Sequence, residues 1–288
     1  MKLIQTSHPN ADSQKAFDSL VGMDGLKQQL LEGLILALSP DELTAWAARH
    51  HRRGLPLIDA QMNPSPLLLL TGDVGCGKTA IATSVGTPLA EALRKKVLVL
   101  ETPSDIRGTG FVGELSSRIT AVFDDAKKKI GGANCGLLII DEGDDLATSR
   151  SQLQAHHEDR AGVNVLIKEL DRIQREKVPL AVILLSNRKD ALDAAVIRRA
   201  SLALTVERPD ESARRVLFAQ LLKLDSNGPE VIDLAQRSAR TPTPYSYSDI
   251  VNRIGKLAVM ESWRADRPLD ATAVSEAMKG VEPSPSVC

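Results

Sequence analysis

The chain has 288 residues, 36 basic side chains against 37 acidic ones, a net charge of −1 and only 3% aromatic residues. With no basic stripe to track a phosphate backbone and few rings to stack on bases, nucleic acid is disfavoured as a partner. Three widely spaced cysteines (Cys76, Cys135, Cys288) form no disulfide framework, and no apolar run matches a leader or a membrane span, so a cytoplasmic protein with no membrane partner is expected.

Residues 1–16 are polar and read as a flexible arm. An amphipathic stretch from Leu20 to Leu38 reads as a helix, weakened by Gly22, Gly25 and Gly33. Ser39-Pro40-Asp41-Glu42 has the spacing of a capping box with proline at the first helical position, which predicts a second helix through Trp46 to about His51. After a loop over Gln61 to Pro66, apolar runs near 67–71, 97–101, 137–141, 180–186 and 201–207 alternate with helical patterns. That order predicts an α/β fold with a parallel five-stranded sheet covered by helices on both faces. The helix after the first of these strands meets Gly86 and Pro88 and should break there. Beyond Pro209-Asp210 the segments Glu211 to Leu222, Glu230 to Ser238, Ser248 to Ala265 and Asp270 to Lys279 read as helices with no strand between them. The predicted organisation is an arm (1–16), a large α/β part (17–208), a small helical lid (209–279) and a Pro/Ser-rich disordered tail (280–288).

Gly72-Asp73-Val74-Gly75-Cys76-Gly77-Lys78-Thr79 follows Leu67-Leu68-Leu69-Leu70 and fits G-x-x-x-x-G-K-[ST]. The glycines let backbone N–H groups approach phosphate oxygens, Lys78 can reach the β- and γ-phosphates, and the Thr79 hydroxyl can bind Mg²⁺. A helix N-terminus opening from the loop favours the anion further. The run Leu137-Leu138-Ile139-Ile140 ends in Asp141-Glu142. Carboxylates at the end of a central strand sit where open α/β sheets bind ligands, so Asp141 is the candidate for Mg²⁺ and Glu142 the candidate base for water. The run Leu180 to Leu185 ends in Ser186-Asn187, whose amide could bridge Glu142, the water and the γ-phosphate; the plainer alternative is a turn residue. Arg198 and Arg199 follow a short helical pattern. A planar, always-charged fork suits charge spread over three phosphoryl oxygens, and a site on a neighbouring subunit is the better target than the chain's own nucleotide.

With these residues in place the chain resembles the AAA+ ATPases, from Phe17 to about Lys279. The resemblance implies that ATP and Mg²⁺ are the cofactors. Phe17 to Gly22 then resembles the segment that packs against adenine, which puts Val21 and Gly22 with Gly72, Asp73, Val74, Gly75, Cys76, Gly77, Lys78, Thr79 and Ala80 at the nucleotide. Asp141 and Glu142 become the Walker B pair, Thr79 and Asp141 the metal side chains, and Asn187 the sensor. Arg198 and Arg199 match the trans-acting arginine fingers. Gly108 to Leu115 resembles the aromatic–aliphatic–Gly pore loop of ring-forming remodellers, with Phe111, Val112 and Gly113 gripping an extended polypeptide. The polar segment from Ser149 to Val163 lies where the family has a second pore loop; its adjacent His156 and His157 cannot share a metal as i, i+4 ligands do. Pro244 to Ile250 resembles the Ser-Gly-Ala-Asp start of the third lid helix, with Tyr247 in place of glycine.

The layout, together with His156-His157-Glu158-Asp159-Arg160 and the helix from Asn164 to Ile173, resembles the AAA+ remodellers of HORMA-domain proteins. That resemblance implies a homo-hexamer that disassembles HORMA-bound signalling complexes in antiphage defence by threading the partner through a pore. The alternatives are a general protein unfoldase and a nucleic-acid-associated AAA+ ATPase.

Overall fold

The structure, a computed structural model, describes residues 3–51, 54–103, 114–131, 134–146, 157–239 and 243–286. They fall into two compact units. One comprises Met1–Phe17, Gly25–Thr71 and Thr79–Thr205; the other comprises Asp18–Asp24, Gly72–Lys78 and Val206–Cys288.

The first unit is built on a six-stranded sheet, one strand more than the sequence predicts. Its strands are β1 (Ile4–His8), β2 (Leu67–Thr71), β3 (Val97–Glu101), β4 (Cys135–Ile140), β5 (Leu180–Ser186) and β6 (Ala200–Thr205), in the order β1-β3-β4-β5-β2-β6. All neighbours are parallel except β1, which runs antiparallel to β3 with Ile4 opposite Glu101 and His8 opposite Val97. Residues 4–8 are therefore a paired edge strand, and Ala11–Ser19 is a helix, where a flexible arm was expected. The strand has no apolar alternation because only its last residue is buried; backbone pairing holds it, and that leaves no hydrophobic period to read. His8 is buried, and its Nδ1 lies 2.9 Å from Thr87 Oγ1. Burial pushes the imidazole pKa down from its ordinary value. Gly86 makes the room: a Cβ there would sit 2.6 Å from His8 Cδ2. The helical break at this point separates Lys78–Ser84 from Gly86–Leu93, as the sequence predicts.

β2, β4 and β5 are buried along their whole length, which is why they read as continuous apolar runs. Leu67 and Leu69 share a core with Leu138, Leu184 and the helices Glu114–Ile130 and His157–Glu176, through Phe123 and Leu170. On the other face the helix Asp24–Leu38 comes so close that a Cβ on Gly33 would lie 2.6 Å from Leu202 Cδ2 and 3.3 Å from Leu68 Cδ2. Gly33 lowers intrinsic helicity, and this close packing offsets the loss. The helix His157–Glu176 begins earlier than the expected loop over 149–163 allows, since Val163 already belongs to the core.

The second unit contains the helices Glu211–Leu222, Pro229–Ala239, Gly255–Arg264 and Ala271–Lys279, with a π-helical turn at Asp249–Ile254. Phe218, Leu234, Ile250, Ala258 and Val274 form its core together with Val21. Asp210 and Asp270 cap their helices by accepting from the N–H groups of Ala213 (2.7 Å) and Ala273 (2.8 Å). Residues 280–286 are not the disordered tail that their Pro/Ser content suggests. Ser284 donates its N–H (3.1 Å) and its hydroxyl (2.6 Å) to Asp249, an anchor 35 residues away that local composition cannot reveal.

Candidate nucleotide site

The phosphate-loop residues Gly72–Lys78 belong to the second unit. Gly72, Gly75 and Gly77 have φ of +141°, +77° and +98°, which L side chains rarely adopt. A Cβ on Gly72 would lie 2.1 Å from the Val206 carbonyl oxygen, and one on Gly75 would lie 2.8 Å from Ser246 Oγ. The Ser248 N–H donates to the Gly75 carbonyl at 3.0 Å, so the turn over 246–248 braces the loop. Lys78 Nζ donates to the carbonyls of Gly72 and Asp73, each at 2.8 Å, and its side chain is buried across the loop. Asp73 is also buried, paired with Arg208 Nε at 2.7 Å and accepting from the Ser286 hydroxyl at 2.9 Å. Cys76 is buried and Val74 exposed.

Val21 and Gly22 lie in the same unit. Tyr247 Oη donates to the Val21 carbonyl at 2.8 Å, and a Cβ on Gly22 (φ +68°) would come within 2.3 Å of Ala213 Cβ. Burial first, with the Asp210 charge adding to it, pushes the Tyr247 phenol up to about 12, so this donor keeps its proton at neutral pH. The tyrosine that departs from the small-residue pattern is thus a clamp on the segment expected to meet adenine.

In the first unit, Thr79 Oγ1 donates to Asp141 Oδ2 at 3.0 Å and the Glu142 N–H donates to Asp141 Oδ1 at 2.8 Å. Both oxygens of Asp141 are held in place. A hydroxyl and a carboxylate this close are hard oxygen donors, and they suit an Mg²⁺ ion that keeps several waters. Glu142 is exposed and has φ +55°, a left-handed backbone that costs a non-glycine residue about 1 kcal/mol or more. Glu101 ends the neighbouring β3; burial raises its carboxyl pKa, and the Asp141 charge raises it further. Asn187 follows β5, the strand between β4 and β2, and its N–H lies 3.4 Å from Asp144 Oδ1.

Arg198 is exposed at the C-terminus of the short helix Ala194–Ile197. Arg199 instead donates from Nε (3.1 Å) and a terminal nitrogen (3.2 Å) to the two oxygens of Asp171. Phe111, Val112 and Gly113 lie outside the described residues, as do residues 149–156.

Arg208, Asp171, the Ser246–Ser248 brace and Ser286 are not marked as site residues by the sequence. Each acts on a residue distant in the chain, and Arg208, Asp171 and Ser286 sit in no motif. The only signal available was the serine spacing around Tyr247, where a polar turn precedes an apolar helix.

Residues 68–208 match the family described as "ATPase family associated with various cellular activities (AAA)". CD-NTase-associated protein 6 of Escherichia coli (strain MS 115-1) is 36% identical over 285 residues, covering 95% of this chain and 90% of that protein. A chain of the E. coli MS115-1 HORMA:CdnC:Trip13 complex superposes with a TM-score of 0.91 at 32% identity, over 99% of this chain and 98% of that one. The Rhizobiales Trip13 structure gives a TM-score of 0.75 at 27% identity, over 98% of each chain.

Proposed function

Since the chain belongs to the AAA ATPases, in the family of CD-NTase-associated protein 6, we propose that it uses ATP to remodel a HORMA-domain protein, as a cytoplasmic homo-hexameric ring. The observation that carries this reading is the match along nearly the whole chain, with a TM-score of 0.91, to a chain of a HORMA:CdnC:Trip13 complex.

In this reading the Gly72–Lys78 loop receives the phosphates of ATP on its N–H groups. Lys78 exchanges the carbonyls of Gly72 and Asp73 for β- and γ-phosphate oxygens. Val21 and Gly22 border the adenine, and Ala80 continues the helix behind the loop. Thr79 and Asp141 hold Mg²⁺, which when bound offsets charge on the phosphate oxygens. Glu142 accepts a hydrogen bond from the attacking water and takes its proton, and Asn187 orients that water. Arg198 and Arg199 serve the nucleotide of the neighbouring subunit. Phe111, Val112 and Gly113 grip the substrate polypeptide, since an aromatic ring beside glycine packs on a chain regardless of its sequence.

The test is a trap. Glu142→Gln protein should bind ATP, fail to turn it over, and retain a HORMA-domain protein from the native host's extract. Lys78→Ala protein should lose nucleotide binding and retain nothing. Recovery of many unrelated polypeptides would favour a general unfoldase, and an empty trap would count against a protein substrate.

A further inference from the structure

The segment Glu282–Ser286 follows the last helix and has no regular structure, yet it is fastened to the second unit along its length. Arg253 donates to the Glu282 carbonyl at 2.8 Å. Ser284 gives its N–H and hydroxyl to Asp249. Arg208 donates to the carbonyls of Ser284 (3.0 Å) and Pro285 (3.1 Å), and Ser286 gives its hydroxyl to Asp73.

Both carboxylates at the receiving end are buried, and both bear on the phosphate loop. Asp73 is a loop residue. Asp249 closes the turn that braces the loop, accepting from the Ser246 N–H and hydroxyl at 3.0 Å each, and this turn sends the Ser248 N–H to Gly75. Arg208 joins the two, because the guanidinium that pairs with Asp73 also reaches the Pro244 carbonyl at the entrance to the turn. The segment therefore meets the loop directly at Asp73 and indirectly through the turn.

A buried carboxylate must be satisfied by hydrogen bonds, and aspartate readily takes them from backbone N–H groups close by in sequence. The N–H groups nearest to Asp73 in sequence are those of its own loop, the same ones an anionic ligand requires. We propose that Glu282–Ser286 is a strap that positions the phosphate loop, holding the Asp73 carboxylate on Ser286 and Arg208 and with it the course of the loop that receives phosphate. Ser286 and Arg208 are then positioning residues for nucleotide, although neither belongs to the phosphate-loop motif. The proposal rests on the loop's being the nucleotide site.

The experiment is a titration of the full chain with fluorescent ADP, alongside steady-state ATP hydrolysis and thermal unfolding. Ser286→Ala should weaken ADP binding about tenfold, the loss expected for one hydrogen bond to a charged group. It should raise KM for ATP to match, with kcat and the ligand-free Tm held. Ser286→Thr keeps the hydroxyl and should restore affinity. Unchanged ADP affinity in Ser286→Ala, with Lys78→Ala abolishing binding in the same assay, would overturn the strap and leave the nucleotide site standing. An unsubstituted chain that binds no ADP would overturn both.

Discussion

Arg198 and Arg199 are neighbours in sequence, but their surroundings differ. The two parallel bonds from Arg199 to Asp171 fix its guanidinium against the helix His157–Glu176, and they raise its pKa above the ordinary arginine value. Both partners are more than one-third exposed, at 37% and 43%, and such pairs contribute only about 0–1 kcal/mol. Stability alone therefore gives weak reason for the pairing, whereas holding Arg199 in one orientation for the finger role proposed above gives a better one. Asp171→Asn should shift Tm by at most a few degrees. Arg199→Ala should leave nucleotide affinity near that of the parent while turnover falls by about 10³-fold, the scale of a lost arginine finger. A turnover assay that finds Arg199→Ala as fast as the parent would remove the finger role. At this scale the glycine turn of Gly72–Lys78 was legible, because its glycines and lysine are close in sequence and fit one motif. Asp171 was not, because an acid on a distant helix face looks like any solvated acid.

Among the elements, β2, β3, β4 and β5 announced themselves, since strands buried on both faces need apolar residues at nearly every position, whereas β6, at the sheet edge with only Leu204 buried, shows a period of two instead. β1 did not. It is held by main-chain bonds to β3 and by His8, whose ring fits where Gly86 has no side chain. Gly86→Ala should then cost about 1–3 kcal/mol, because the added carbon meets both His8 Cδ2 and Val99 Cγ2 (2.7 Å). Hydrogen exchange would report it: the amides of residues 4–8 should lose protection before those of β4 and β5. Equal protection in parent and variant would mean that β1 depends on something other than this contact.

Across the whole molecule, the helices after residue 210 were legible from period and punctuation, but what ties them to distant stretches was not. Asp249 shows why. Burial would push its carboxyl up, yet hydrogen bonds from Ser284, Ser246 and Arg253 outweigh burial and hold it well below the usual carboxylate range. A carboxyl depressed in the folded state contributes stability that is fully present above its unfolded value, 3.8, and is lost as pH falls from there through the folded value. Ser284→Ala should lower stability at pH 7 by about 1–3 kcal/mol and flatten the loss between pH 4 and 2, since less depression remains to be lost. Urea unfolding across that range would show it, and identical pH profiles for the two proteins would rule it out.

The second unit draws on three separate stretches of chain. Val21 belongs to its core, Tyr247 donates to the carbonyl of that same residue, and Ser286 and Arg208 satisfy Asp73. Residues 206–286 are thus not a cassette. A chimera spliced at 206 from a relative would part these serine, arginine and tyrosine donors from the acceptors they evolved with. Swaps that are to fold and bind nucleotide must carry 18–24 and 72–78 along, so the unit of exchange in this fold is a set of contacts rather than a length of gene.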